Sequence, residues 1–209
     1  MTAPQVGVLA LQGAVAEHVR ALETAGAVVR TVRRPAELEG LDGLVVPGGE
    51  STTIARLAAP VRLMEGVREK RDAGMAIFGT CAGLILLAES VADAEALEGF
   101  ERIGGLDVQV RRNGYGSQLD SFTEDLAITD LPGEEHPLSA VFIRAPLIEE
   151  VGERVEILAV SEGAGSQGTD GGRRPVAVRQ GRLLGVSFHP ELTEDTRLHQ
   201  LFVEMAAGA

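Results

Sequence analysis

Two short segments carry residue types that could do chemistry together: Gly79-Thr80-Cys81-Ala82-Gly83 and His189-Pro190-Glu191. A cysteine attacks as its thiolate, and histidine is the usual group to take the proton. A carboxylate two residues beyond the histidine lies on the same side of an extended segment. There it can orient the imidazole, while Pro190 stiffens the pair. Glycines two positions either side of Cys81 suit the strained strand-to-helix turn of a nucleophile elbow, with sulfur in place of oxygen. A helix starting beside Cys81 would stabilise negative charge on the sulfur. The Ala82 N–H would then be placed to donate to an oxyanion. Outside such a context a free cysteine is most often a small buried hydrophobe, and that alternative stays open at the level of sequence.

The other histidines serve as controls. His18 falls on the first helix, His136 in an acidic turn beside Pro137, and His199 on the last helix. None combines a strand-end position with a carboxylate two residues on, so each is expected to be structural or solvated. No H-E-x-x-H occurs, and His189, Glu191 and His199 fit no standard metal spacing. With a single cysteine, neither a disulfide framework nor a multi-cysteine zinc site can form. No metal and no cofactor are expected.

The elements that must position these groups alternate. Val6–Leu11 reads as a strand buried on both faces, Ala14–Ala25 as a helix closed by Gly26, and Ala27–Val32 as a strand. Leu44–Val46 is a third strand, stopped by Pro47-Gly48-Gly49-Glu50-Ser51, and helical pattern follows to about Asp72. Met75–Phe78 is a fourth strand, feeding the Cys81 turn and a helix over Leu84–Glu89. The second half is richer in strand signals: Leu106–Val110, Val141–Arg144, Val155–Val160, Val176–Arg179 and Leu183–Phe188. A helix over Glu194–Ala206 follows. Gly163–Gly172 reads as a hairpin tip. The pattern predicts an α/β fold of three layers, a mainly parallel central sheet with helices on both faces, in one domain over residues 1–209. Ligands bind such sheets at the carboxyl ends of strands. The loops after Val46 and Phe78 lie there.

Composition narrows the function classes. The chain has 209 residues, 44% hydrophobic and 24% charged, with 31 acidic against 19 basic residues and a formal net charge of −12. A nucleic-acid binder needs a basic face, so nucleic acid is not an expected partner. No apolar run approaches the ~18 residues of a membrane span. The default expectation is a cytoplasmic, reducing location.

The Cys81 elbow with His189-Pro190-Glu191 resembles the class I, triad-type glutamine amidotransferases. Five blocks narrow the likeness to the glutaminase-subunit family of pyridoxal 5'-phosphate synthases. They are Gly7–Ala14, Pro47–Thr53, Gly79–Leu84, Val141–Pro146 and Ser187–Thr193. Together they span nearly the whole chain, and the P-G-G-E-S-T-T and F-I-R-A-P blocks are the most specific. The resemblance implies a flavodoxin-like sheet, L-glutamine as substrate and a synthase subunit as partner in a large hetero-oligomer. Cys81 would form a γ-glutamyl thioester, His189 would shuttle the proton, and Glu191 would orient His189. Glutamine contacts carry over to Gly48, Gly49, Glu50, Arg112, Ile143 and Arg144. The oxyanion would be held by Ala82 and a backbone N–H of the Gly48-Gly49 loop. Read without the resemblance, Gly48-Gly49 is a turn, Glu50 a helix cap, and Arg112 and Arg144 surface arginines. The family stretch after Asn113 commonly differs at Gly114, Tyr115 and Ser117, and commonly has histidine where this chain has Leu147. The Gly163–Arg174 segment looks longer than usual.

Overall fold

The computed structural model describes residues 2–112, 114, 121–133, 136–162 and 173–208. Tyr115, Ser117 and the Gly163–Gly172 tip lie outside the described residues. The strands are β1 (Gln5–Leu9), β2 (Val28–Val32), β3 (Gly43–Val46), β4 (Ala76–Thr80), β5 (Ala88–Val91) and β6 (Leu106–Arg111). They continue as β7 (Ser121–Leu126), β8 (Leu138–Ile143), β9 (Leu147–Val151), β10 (Glu156–Ser161), β11 (Arg174–Gln180) and β12 (Leu183–Val186). The helices are α1 (Val15–Thr24), α2 (Ser51–Ala58), α3 (Leu63–Asp72), α4 (Ala82–Leu87) and α5 (Arg197–Ala207).

Among the described residues the main sheet has seven strands in the order β10-β11-β12-β4-β3-β1-β2. The run β12-β4-β3-β1-β2 is parallel, and β11 and β10 join antiparallel at one edge. Strands buried on both faces need apolar residues at every position, each face taking alternate side chains. Leu9, Leu44, Val46 and Ile77 therefore pack with α2, α3 and α4 through Ile54, Met64 and Leu84. Val8, Val45 and Phe78 pack on the opposite face with α1 and α5 through Leu22, Leu198 and Phe202. The three-layer, mainly parallel expectation is met.

Register positions the site. Val46 pairs with Gly79 and Thr80 with Val186, so β4 and β12 end level and β3 one residue earlier. Their following loops start with Pro47, Cys81 and Ser187, and they emerge side by side at one sheet edge.

The details differ from the sequence expectation in four ways. The helical stretch to Asp72 breaks at Pro60, in a short 3-10 turn over Ala59–Val61, and at Arg62, which has φ 54°. Pro60 lacks the N–H that would continue the ladder. The helix after Cys81 starts at Ala82 and gives way to β5 at Ala88. The strands over 141–144 and 183–188 are observed over 138–143 and 183–186. Finally, β5, β7 and β9 were not anticipated. Their sequences, AESV, SFTEDL and LIEEV, are short and place two or three polar residues in succession, which breaks a two-residue period. β5-β6-β9 and β7-β8 form two small separate sheets. Among the described residues, no helix is long and apolar enough to cross a membrane.

Candidate active site

Cys81 sits between β4 and α4 with φ 48° and ψ −103°, a backbone region that non-glycine residues rarely occupy. Its N–H donates to Val186 O at 2.9 Å, which holds the turn against β12. The flanking glycines are required by space. A Cβ on Gly83 would lie 1.9 Å from Val46 O, and one on Gly79 would lie 2.6 Å from the Gly83 carbonyl. With both absent, α4 sits directly on the sheet and Cys81 is left at its edge, only 6% exposed.

His189 follows β12, and its N–H donates to Val141 O of β8 at 2.8 Å. Glu191 lies in a 3-10 turn over Pro190–Leu192. His189 Nδ1 is 2.8 Å from Glu191 Oε1, and the ring and Cys81 both border Gly48. With Nδ1 taken by the carboxylate, Nε2 is the ring nitrogen free for proton transfer. Burial alone would lower the His189 pKa. The influence of Cys81 and of the Glu191 carboxylate outweighs it and raises the value to about 10. The three groups predicted from two distant segments are thus brought together. Cys81 therefore lies beside an imidazole and not among apolar groups alone.

The loop after β3 closes over them. A Cβ on Gly48 would meet His189 Cε1 at 2.4 Å and Cys81 Cβ at 3.3 Å, so only glycine fits between base and nucleophile. Gly49 has φ 148°, and a Cβ on Gly13 would lie 1.8 Å from Gly48 O. The Gly48 N–H donates to Thr80 Oγ1 at 3.0 Å, and the Glu50 N–H to Gln12 Oε1 at 2.9 Å. The cap reading of Glu50 holds: its carboxylate accepts from Thr52 N at 3.2 Å and Thr53 N at 2.7 Å at the start of α2. It also pairs with Arg112 Nη2 at 3.2 Å. Burial acts to raise the Glu50 pKa, but the Thr53 and Thr52 bonds prevail and lower it.

A cavity of about 390 Å³ opens at this point. Cys81, Ala82, His189, Gly48, Gly49, Glu50, Arg112, Ile143 and Arg144 all line it, while Glu191 sits behind His189. Arg144, with φ 44°, turns the chain out of β8 beside the sulfur, and Ile143 O is 3.9 Å from Sγ. Two of the departures noted in the sequence meet each other. A Cβ on Gly114 would lie 2.3 Å from Leu147 Cγ, so the leucine fills the space that a larger residue 114 would need.

The sequence reading missed a layer behind the triad. His18 and His199 are fully buried rather than solvated. His18 Nε2 is 3.2 Å from Thr80 Oγ1 and 3.4 Å from Glu191 Oε2, and His18 Nδ1 is 3.0 Å from His199 Nε2. A faint signal was available: His18 shares the helical face of Val15 and Leu22, and His199 lies between Leu198 and Leu201.

Comparison with known proteins agrees with this geometry. The model of the SNO glutamine amidotransferase family matches residues 8–207. A protein of Parafrankia sp. (strain EAN1pec) named pyridoxal 5'-phosphate synthase subunit PdxT is 54% identical over 206 residues, covering 98% of this chain and 94% of the relative. Its namesake in Kineococcus radiotolerans is 52% identical over 203 residues, covering 97% and 95%. A crystal structure of a glutamine amidotransferase superposes with a TM-score of 0.84 at 46% identity, covering 97% of this chain and 98% of that one. With a family model matching almost end to end and the elbow, base and carboxylate assembled at its sheet edge, the chain belongs to the SNO glutamine amidotransferase family.

Proposed function

We propose that this chain is the glutaminase subunit of a pyridoxal 5'-phosphate synthase, a single amidotransferase domain over residues 1–209 that works in the cytoplasm. It hydrolyses L-glutamine to L-glutamate and hands the ammonia to a synthase subunit. The observation that carries the reading is the meeting of Cys81 with the His189–Glu191 pair beside a cavity at the ends of β4 and β12.

The Cys81 proton passes to His189, and the sulfur attacks the side-chain amide carbon of glutamine. Glu191 holds the ring and balances the imidazolium charge. Negative charge then grows on the amide oxygen. The Ala82 N–H at the start of α4 donates to it, and a Gly48-Gly49 N–H supplies the second bond. The Gly48 N–H is committed to Thr80 Oγ1, so it must turn away from that hydroxyl to serve. His189 gives its proton to the departing nitrogen, and ammonia leaves a γ-glutamyl thioester. Water, deprotonated by the same ring, attacks the thioester carbon; glutamate and the free thiol are released.

The Arg112–Glu50 pair supports recognition of the amino-acid end. Glutamine inserts into it, its α-carboxylate taking Arg112 or Arg144 and its α-ammonium taking Glu50. Each new contact is charge-assisted and replaces one already present. Ile143 and the Gly49 backbone bound the side chain between them. Ammonia is mostly ammonium at neutral pH and then no nucleophile, which is why direct delivery to a partner is part of the reading.

Glutamate release from glutamine, measured with and without the cognate synthase subunit, tests this. Release is expected to rise sharply with the partner and to vanish in Cys81→Ala. Release persisting in that variant removes Cys81 from the mechanism. Equal release with and without the partner overturns the coupling.

A further inference from the structure

Behind Glu191 runs a buried chain of polar groups that the reaction scheme above leaves unused. Glu191 Oε1 serves His189, but Oε2 is buried and makes no hydrogen bond to any described residue. Leaving a carboxylate oxygen in that state is costly unless a donor stands close. The nearest candidate is His18 Nε2 at 3.4 Å, with both side chains fully excluded from solvent. The same nitrogen is 3.2 Å from Thr80 Oγ1, and Thr80 Oγ1 in turn accepts the Gly48 N–H at 3.0 Å.

Whether His18 can donate depends on where its proton sits. Both imidazoles are neutral: burial lowers the pKa of His199 to about 4, and burial with the neighbouring histidines lowers that of His18. His199 Nδ1 is buried and has no partner among the described residues. A stranded N–H there would forfeit a hydrogen bond outright, whereas a bare lone pair costs less. The His199 proton therefore sits on Nε2 and is donated to His18 Nδ1 at 3.0 Å. That leaves the His18 proton on Nε2, facing Glu191 and Thr80. The opposite tautomer would aim a lone pair at a carboxylate oxygen.

We propose that His18 is a positioning residue for the reaction, holding the outer oxygen of Glu191 and the Thr80 hydroxyl through one N–H, with His199 setting the tautomer that directs it. The proposal rests on the triad reading above. It makes one ring on α1 a joint support of the base's carboxylate and of the hydroxyl that holds the Gly48 peptide.

The test compares His18→Gln with His18→Asn in the full chain assayed with its synthase partner. A glutamine amide reaches the place of Nε2 and keeps a donor to Glu191 and Thr80; an asparagine amide reaches only the place of Nδ1. His18→Gln is expected to keep kcat near wild type. His18→Asn is expected to lose about tenfold or more, the usual scale for an outer partner of a carboxylate–histidine pair, with KM for glutamine unmoved. Leu22→Ala, one turn along α1 and equally buried, controls for simple destabilisation and should keep kcat below its melting temperature. Equal kcat for His18→Gln and His18→Asn overturns the proposal. So does an effect seen in KM alone, or a loss matched by Leu22→Ala. The rate of Cys81 alkylation by iodoacetamide provides a readout independent of glutamine. Should the wild-type chain release no glutamate, the functional reading fails. Slower alkylation in His18→Asn but not in His18→Gln then still supports the positioning role, and equal alkylation rates still defeat it.

Discussion

Gly48 lies between Cys81 and His189, where no side chain fits. The carbon that alanine would add falls 2.4 Å from His189 Cε1 and 3.3 Å from Cys81 Cβ. The closest atom it would meet belongs to the imidazole, so the strain falls on the ring. Gly48→Ala is expected to lower kcat by about a hundredfold, since a shift near 1 Å in a reacting group costs that much. Its melting temperature should stay within a few degrees of wild type. Parallel glutaminase assays and thermal melts check this. A variant that loses stability and activity together would show that the loop is structural. Glu50 illustrates how two readings of one residue coexist: it caps α2 through Thr52 and Thr53, and the same carboxylate faces the cavity beside Arg112.

At the scale of elements, the elbow is a packing solution before it is a chemical one. α4 approaches β3 so closely that Gly83 touches Val46 O, and this closeness brings the first N–H groups of α4 to the cavity. The β6–β9 region holds a second close pair. Gly114, just past β6, abuts Leu147 at the start of β9, and the two departures compensate in volume. Gly114→Ala alone should destabilise by about 1–3 kcal/mol, the range for overpacking. In Gly114→Ala/Leu147→Ala the added methyl finds room. The double-mutant cycle is expected to show a favourable coupling on the order of 1 kcal/mol. Urea unfolding of the four proteins measures it, and additive costs would mean that the backbone moves instead.

For the whole molecule, three buried histidines give opposite pH responses. His199 has a pKa of about 4 when folded against about 6.5 unfolded. Below 6.5 the unfolded chain binds the extra proton, so stability falls as pH drops toward 4, by about 3 kcal/mol for this group. His18 acts in the same direction. His189 is raised to about 10, so its contribution is fully present below 6.5 and is lost as pH rises through 10. Unfolding free energies from pH 4 to 10 should show both slopes. The acid slope should flatten in His199→Gln, and the alkaline slope in Cys81→Ala, which removes one of the two groups that raise His189. Unchanged slopes in these variants would assign the pH dependence to other groups.

Much of this was legible from residue order alone. Alternating apolar strands and helices, the glycine-flanked cysteine and the histidine with a carboxylate two residues on are local patterns. Local patterns survive in a one-dimensional text because they depend on steric and hydrogen-bonding rules within a few residues. The chain could therefore be read as a parallel-sheet protein with a cysteine nucleophile at a strand end. What it could not reveal was which distant groups meet. Cys81 and His189 come together because β4 and β12 are neighbours in exact level register, a consequence of sheet order. β5, β7 and β9 were hidden because consecutive polar residues in each break the alternation. His18 and His199 were hidden for a stronger reason. A polar residue on an apolar helical face has no meaning until the opposing surface is known, and only the packing of α1 and α5 against β4 sets those rings behind Glu191.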